Sequence, residues 1–311
     1  MTERMSLRRL AYFVTAAERG TMTAAAQVLH VSQSAVSLAI ADLERQLGVQ
    51  LLLRHKAKGL TLTEAGRGLL PEAIALLSRT DELQAGMHDL GHSPTGRLVI
   101  GCFTTIAPFV LPELLEEFQE AYREVTLDFV EGSQVLLHEL LLESRCELAV
   151  LYDIDIQPGI DYDVLYATKP HVLLPPRHPL ARLDSVRLAD LAEHDMIMLD
   201  VPPSFNYFSQ VLAAAGIKPR IRHRTVSFEM VRSLVARGVG YSLLIQQPTV
   251  DLSYEGRDLV IRPVRDRLVP MPVVLARPSG IRLTRRAEVF AEFCHTRLAD
   301  GPHTGGPRTG G

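Results

Sequence analysis

Three short, uncharged polar side chains lie near the start of a predicted helix, at Gln33, Ser34 and Ser37. Amide and hydroxyl groups of this kind can hydrogen-bond the edges of DNA bases in the major groove. The same segment carries apolar residues at steps of four, three and four, which predicts one buried helical face: Val36, Ile40, Leu43 and Leu47. Gly48 is the residue type that ends a helix in the left-handed conformation.

A shorter helix is predicted immediately before this one. Thr23 is in position to cap it, and Ser32 is in position to cap the helix that follows a break at His30-Val31. Two helices joined in this way form the pair whose second member enters the major groove, so Thr23 is grouped with the predicted DNA contacts. A small helical hairpin with no role in DNA binding is the alternative interpretation of this segment alone.

A basic turn between two short apolar segments follows the helix pair. Arg54, Lys56 and Lys58 are predicted to contact phosphates, which contribute affinity and register without reading sequence. Residues 1–62 contain eight Lys and Arg residues against four Asp and Glu residues, an excess of four positive charges, although the whole chain has a net charge of −3. A basic segment on an acidic chain is typical of a DNA-binding head with a wing.

A long helix is predicted from Thr63 to about Leu90. Its seam alternates steps of four and three residues, which is typical of a coiled coil: Leu69, Ala73, Leu76, Thr80, Leu83, Met87 and Leu90. Pro71 is expected to bend or interrupt the first turns. We interpret this segment as a dimerisation helix, followed by a hinge of turn-forming residues at 91–97. A helix buried against its own domain is the alternative.

From residue 98 onward, apolar strands alternate with helices, which predicts mostly parallel sheets. The alternation restarts after Lys169-Pro170, and a last strand near Val273 precedes a final helix. Two such halves predict a two-lobed body with a cleft between the lobes, and the chain is expected to cross near residues 167–169 and 267–270. The terminal segment 301–311 is expected to be disordered because it has too few apolar residues to bury.

The chain resembles the LysR-type transcriptional regulators of bacteria. The likeness rests on the opening LRRLAYFVTAAERGTMTAAAQVLHVSQSAVSLAIADLERQLGVQLLLR and the following LTLTEAG, and it continues to about residue 298. Four positions depart from the usual family pattern, which often has Pro at Ser34, a basic or amide pair at Leu38-Ala39, and Phe at Leu52. Because the first three of these positions lie on the predicted reading helix, the base preferences of relatives do not transfer to this chain.

The resemblance implies an α/β fold class with three parts. An all-α winged helix-turn-helix would occupy residues 1–62, and a linker and dimerisation helix would occupy 63–91. A two-lobed effector-binding domain, similar to periplasmic solute-binding proteins, would occupy 92–300. Lobe I would take about 95–168 and 270–300, and lobe II about 169–269.

The resemblance also implies a function. We expect a sequence-specific regulator of transcription, activator or repressor, that binds double-stranded operator DNA and responds to a small metabolite, expected to be an organic acid. A dimer suits the head because a two-fold operator presents two half-sites. A tetramer is usual in the family, and RNA polymerase is a candidate further partner.

Effector contacts are expected where strands end and helices begin around the cleft. Thr104 and Thr105 would form an anion site beside the start of a helix, although capping that helix is the alternative. The other predicted cleft residues share the same placement at strand ends or helix starts: Ser133, Tyr152, Ser204, Phe205, Asn206 and Thr225. The alternative for each of these residues is that it caps a helix or lies in a turn and does not contact the effector. Aromatic neighbours make an aromatic or amphipathic acid one hypothesis for the effector.

Other chemistries have little support in the sequence. The histidines are dispersed, so no metal site is expected. The sequence has neither a glycine-rich phosphate loop nor a nucleophile elbow, so we expect no cofactor and no enzymatic activity. Cys102, placed at a predicted helix start where a thiol pKa falls, leaves a redox switch as an alternative. A solute-binding protein is another alternative, but the charged N-terminus does not look like an export signal. Three scattered cysteines and no long apolar run indicate a cytoplasmic protein away from membranes.

Overall fold

A computed structural model describes residues 5–55, 59–88, 94–299 and 301. The N-terminal head begins with three helices: α1 (Leu7–Arg19), α2 (Met22–Val28) and α3 (Gln33–Leu47). The chain bends by 107° between α2 and α3, which is the geometry of a helix-turn-helix. The apolar stripe predicted on α3 faces the core of the head, where Val36, Ile40 and Leu43 are at most 1% exposed.

The wing is a two-stranded antiparallel hairpin of β1 (Leu52–His55) and β2 (Gly59–Leu62). Gly59 has φ +76, and a Cβ atom at this position would collide with the carbonyl oxygen of Gly20 at the end of α1. Only glycine therefore allows the hairpin to lie this close to α1, where the amide of Leu60 donates to the same Gly20 oxygen at 2.7 Å.

Helix α4 (Glu64–His88) follows the wing and has Thr63 as its cap, with the Gly66 amide donating to the Thr63 hydroxyl at 3.0 Å. The helix continues through Pro71, so of the two expected effects, a bend or an interruption, the interruption is wrong. Ala73, predicted on the dimer seam, is 1% exposed inside the core of the head, whereas Leu76 is 47% exposed. The first turns of α4 therefore complete the head. The side chains of Leu83 and Met87, and the whole of Leu90, lie outside the described residues.

Lobe I is built on a five-stranded sheet with the strand order β4-β3-β5-β12-β6. Its strands are β3 (Gly96–Phe103), β4 (Val125–Gly132), β5 (Leu148–Tyr152), β6 (Ile160–Thr168) and β12 (Met271–Pro278). Strands β3, β4 and β5 are parallel, but β12 runs antiparallel to both β5 and β6. Helices α5 (Ala107–Ala121), α6 (Gln134–Leu142) and α9 (Arg285–Arg297) pack against this sheet.

Lobe II contains two smaller sheets. Strands β7 (His171–Leu174), β10 (Ser242–Leu244) and β11 (Val260–Pro263) form one antiparallel sheet, with β7 in the middle. Strands β8 (Asp195–Leu199) and β9 (Arg220–Thr225) form a parallel pair. Helices α7 (Ser204–Ala214) and α8 (Phe228–Ala236) lie in the same lobe. The chain enters lobe II between β6 and β7 and leaves it between β11 and β12.

Three expectations about the body need correction. Strands β6 and β11 were not predicted. The sheets are not mostly parallel, because β12 returns antiparallel between β5 and β6 in lobe I and the β7, β10 and β11 sheet of lobe II is wholly antiparallel. The hinge predicted at 91–97 does not reach residue 97, since β3 already begins at Gly96, and residues 91–93 lie outside the described ones. The predicted disordered tail lies outside the described residues, apart from Gly301.

Within the described ranges, no single helix is long and apolar enough to cross a membrane. Helices α2 and α3 reach that length and composition only as a pair, and the pair is sharply bent.

Candidate nucleic-acid interface and ligand cleft

The start of α3 presents its polar residues on the surface of the head. Ser32 caps the helix by accepting the Ala35 amide at 3.2 Å, as predicted, and its hydroxyl oxygen lies 2.9 Å from that of Ser34. Gln33 and Ser34 are exposed, and Ser37 is half-buried. Gln33 therefore combines exposure with an amide that can bond a base edge in two places.

Thr23 does not cap α2. The cap is Thr21, whose hydroxyl accepts the Ala24 amide at 3.1 Å. Helix α2 begins at Met22, two residues after the left-handed Gly20 that ends α1, so the cap position falls two residues earlier than predicted. Thr23 is exposed in the first turn of α2.

The wing is held to the end of α3 by Glu44. Its Oε1 accepts the backbone amides of Leu51 and Leu52 at 2.7 and 3.1 Å. Arg54 lies in β1 opposite Leu60, but its side chain, together with the whole of Lys56 and Lys58, lies outside the described residues.

A narrow inner cleft of about 10 Å³ separates the two lobes. Thr105 and Tyr152 of lobe I line it together with Ser204 and Gln246 of lobe II, and all four are almost fully buried. Gln246 Nε2 donates to the Tyr152 hydroxyl at 3.0 Å, which links the lobes directly. Burial raises the pKa of Tyr152 to about 12, although hydrogen bonds with Gln246 and Thr105 work in the opposite direction. The cleft therefore offers neutral hydroxyl and amide groups.

A larger cavity of about 540 Å³, which we call the outer cavity, lies beside the inner cleft and shares Thr105 and Phe228 with it. The start of α5, the start of α8 and residues 247–254 form its walls. Arg232 lies on its lining, only 2% exposed, and is paired through Nε with Glu229 Oε2 at 3.0 Å. Burial, and then the charge of Arg232, lowers the pKa of His171 in β7 to about 4, so this histidine is neutral.

Of the predicted cleft residues, Thr104, Thr105, Tyr152 and Ser204 line these two cavities. Helix α5 has Ile106 at its N-cap position and no side-chain cap, so neither threonine is occupied by capping. The remaining predicted residues are absent from the described lining of both cavities: Ser133, Phe205, Asn206 and Thr225.

Local roles account for these four residues. Ser133 caps α6 by accepting the Leu136 amide, and Thr225 accepts the Ser227 amide at 3.2 Å. The Arg224 guanidinium carbon lies over the Phe205 ring, 4.8 Å from the ring centroid, and Asn206 is exposed. Helix α7 begins at Ser204, so residues 204–206 form its first turn.

Cys102 is not at a helix start. It lies within β3 with no exposed surface, and its pKa is raised well above the ordinary value by burial first and then by Glu131 and Cys294. The expectation of a lowered thiol pKa is therefore wrong, because the strand continues to Phe103 and keeps the thiol in the sheet. Among the described residues, no cluster of three His, Cys, Asp or Glu side chains is placed to hold a metal ion.

Three structurally important residues were missed from the sequence: Glu44, Gln246 and Arg232. Gln246 follows β10, so the rule that ligand sites gather at strand ends could have identified it. Glu44 and Arg232 had no such signal, because both act on backbone groups that become their neighbours only after folding.

A bent helix pair with a wing, joined by a long helix to a two-lobed body with an inter-lobe cleft, defines a DNA-binding regulator with a ligand-binding domain. Two family profiles agree: residues 7–67 match the "Bacterial regulatory helix-turn-helix protein, lysR family", and residues 91–299 match the "LysR substrate binding domain". The chain belongs to the LysR family of transcriptional regulators.

Similar proteins cover nearly the whole chain. The regulator YvbU of Bacillus subtilis (strain 168) is 29% identical over 300 residues, covering 93% of this chain and 97% of YvbU. The transcriptional activator LysR of Escherichia coli (strain K12) is 29% identical over 275 residues, covering 88% and 87% of the two chains. The crystal structure of HinK, a LysR family regulator from Pseudomonas aeruginosa, is 34% identical with a TM-score of 0.65, covering 96% of this chain and all of HinK.

Proposed function

We propose that this protein is a cytoplasmic, ligand-responsive regulator of transcription whose effector, a small organic acid, binds in the inner cleft. We keep the domain limits expected from the sequence, with a head over 1–62 whose core is completed by the first turns of α4, a dimerisation helix over 63–91 and an effector domain over 92–300. Gln33, Ser34, Ser37 and Thr23 would face the bases, and Arg54, Lys56 and Lys58 the phosphates. The observation that carries the ligand response is the inter-lobe bond between Gln246 and Tyr152, which an effector can replace.

The inner cleft can accept an acid without a cationic side chain. The amino end of α5 carries no capping side chain and no acidic residue in its first turn, so its dipole favours an anion there. Hydroxyls of Thr105 and Ser204 and the amide of Gln246 can add hydrogen bonds. At about 10 Å³ the cleft is too small for an organic acid, so binding of an effector there requires the lobes to separate.

The mechanism is a shift of population. An effector that binds the open arrangement of the lobes more tightly than the closed one favours the open state by that difference in affinity. The opened lobes then change how two copies pack, and thereby how their heads lie on DNA.

The test uses the full-length chain and a panel of small carboxylic acids. An effector at about a hundred times its dissociation constant adds about 2.7 kcal/mol to the free energy of unfolding and raises the melting temperature. This rise in melting temperature should disappear in Thr105→Val and persist in Thr126→Val, where the threonine is an exposed residue of the edge strand β4. An acid that binds the cleft but changes neither DNA affinity nor DNA bending would contradict the proposed response.

A further inference from the structure

The outer cavity is large enough to bind a second ligand. Its volume of about 540 Å³ lies within the range of small-molecule sites. Its walls come from both lobes, with Thr104 and Phe109 from lobe I and Phe228 and Arg232 from lobe II. A ligand there would contact both lobes while the inner cleft stays closed.

Two aromatic rings form the inter-lobe wall of the outer cavity. The rings of Phe109 and Phe228 meet edge to face, with centroids 5.5 Å apart and an interplanar angle of 73°. Both side chains are only half-buried, and Tyr254 at the rim is 89% exposed. Exposed ring surface of this kind favours a flat aromatic ligand, which removes apolar area from water and adds edge-to-face contacts.

The formal charge of the cavity lining is zero. Glu229 and Arg232 are the only residues of the described lining that are charged at neutral pH, and they pair with each other at 3.0 Å. Arg232 Nη2 also donates to the carbonyl oxygens of Val250 and Leu252, at 3.1 and 2.6 Å. An anionic ligand would bring an uncompensated charge into this partly enclosed space, which an uncharged ligand avoids.

One buried hydrogen-bonding group of the described lining lacks a partner. Arg232 Nη1 is buried and has no acceptor among the described residues, although the other two guanidinium nitrogens are bonded. Buried donors in native proteins are almost always paired, so Arg232 is the lining residue with capacity for one further acceptor oxygen. An amide or ketone oxygen would supply the acceptor without adding a charge.

We propose that the outer cavity binds an uncharged aromatic compound carrying an amide or ketone oxygen. The ring packs against Phe109 and Phe228, and the oxygen lies at the Arg232 end of the cavity. This ligand is separate from the acid proposed for the inner cleft, and it differs from that acid in charge.

The probes are 2-naphthamide and 2-naphthoate, which differ mainly in charge, added to the full-length chain. Because the chain contains no tryptophan, the naphthalene fluorescence can be followed without tryptophan emission. The amide should bind at least about fivefold more tightly than the carboxylate. Glu229→Gln leaves the cavity with a positive charge, and it should narrow or reverse that preference.

Matched variants locate the site. Phe109→Ala should weaken naphthamide binding about tenfold, whereas Phe129→Ala, a phenylalanine on β4 outside the cavity, should leave it unchanged. Ser204→Ala should change the naphthamide dissociation constant by no more than about twofold relative to the unmodified chain, because Ser204 lines only the inner cleft. No naphthamide binding, tighter binding of naphthoate to the unmodified chain, or equal losses in the two phenylalanine variants would overturn the proposal. None of these results depends on a DNA response, so they leave the proposed function to its own test.

Discussion

At the scale of the residue, the polar start of α3 divides its side chains between folding and recognition. The Ser32 hydroxyl is occupied by the Ala35 amide and lies within hydrogen-bonding distance of the Ser34 hydroxyl. Gln33 is exposed beside them. Gln33 is therefore the leading candidate for contacting a base. The Ser34 hydroxyl is a weaker candidate, because it already lies 2.9 Å from the Ser32 hydroxyl.

Gln33→Ala should relax sequence preference. Losing a bidentate amide–base contact costs about 1–3 kcal/mol of discrimination, so the ratio of cognate to scrambled affinity should fall. The cognate site would be selected from a random DNA pool with the unmodified protein. Gln27→Ala, an exposed glutamine on α2, is the control and should keep the ratio. Unchanged discrimination in the Gln33 variant would remove it from the reading surface.

Arg54→Ala should weaken binding to all DNA sequences alike. A lost phosphate contact lowers affinity without changing preference, and it reduces the slope of log affinity against log salt by about 1. Titrations at several salt concentrations on cognate and scrambled DNA measure both effects. A loss confined to the cognate site would instead assign Arg54 to base reading.

The three cysteines should resist thiol reagents while the chain is folded. Cys102, Cys146 and Cys294 are each at most 1% exposed, and burial raises the pKa of all three, that of Cys146 to about 12. A disulfide reagent should label three thiols rapidly in denaturant and almost none in the native chain near neutral pH. Rapid native labelling of Cys102 would revive the redox interpretation.

At the scale of the element, the reading helix and the wing form one unit through a single carboxylate. Glu44 lies near the end of α3, and its Oε1 satisfies two amides at the start of β1. The wing is also bonded to the end of α1 through Leu60 and Gly20. These bonds set the distance between the base-reading and phosphate-binding surfaces.

Glu44→Ala should lower the stability of the head and its affinity for DNA. Two amides lose their acceptor, and an unsatisfied buried donor costs about 1–3 kcal/mol. Denaturant unfolding and DNA titration measure the two effects. Glu18→Ala, an exposed glutamate at the end of α1, should change stability by less than about 0.5 kcal/mol. Equal behaviour of the two variants would show that Glu44 does not support the wing.

At the scale of the whole molecule, the two lobes share a hydrophobic cluster and are also joined by a hydrogen bond and an aromatic pair. Gln246 donates to Tyr152 in the inner cleft, and Phe109 meets Phe228 at the outer cavity. Both contacts join residues of lobe I to residues of lobe II. Opening of the lobes must break or stretch these contacts, so their strength limits how readily an effector enters.

Tyr152→Phe should loosen the lobes. The phenol oxygen is lost and the buried Gln246 amide loses that acceptor, which should lower the free energy of unfolding by about 1 kcal/mol and enlarge the radius of gyration measured by X-ray scattering. Tyr241→Phe is the matched control, because the Tyr241 hydroxyl is buried in lobe II with no hydrogen-bond partner in the described chain. Removing the Tyr241 hydroxyl should leave the free energy of unfolding unchanged or raise it. The same result for both tyrosines would rule out the inter-lobe bond as a restraint.

Local sequence determined most of the helices and strands, because caps, apolar spacing and glycine stops act over only a few residues. The cap at Ser32, the stop at Gly48 and the buried stripe of Val36, Ile40 and Leu43 all agree with the structure. The tertiary structure alone decided the antiparallel return of β12, the burial of Ala73 in the head and the meeting of Gln246 with Tyr152, which lie 94 residues apart. Such contacts depend on where distant segments pack, and no short-range pattern contains that information.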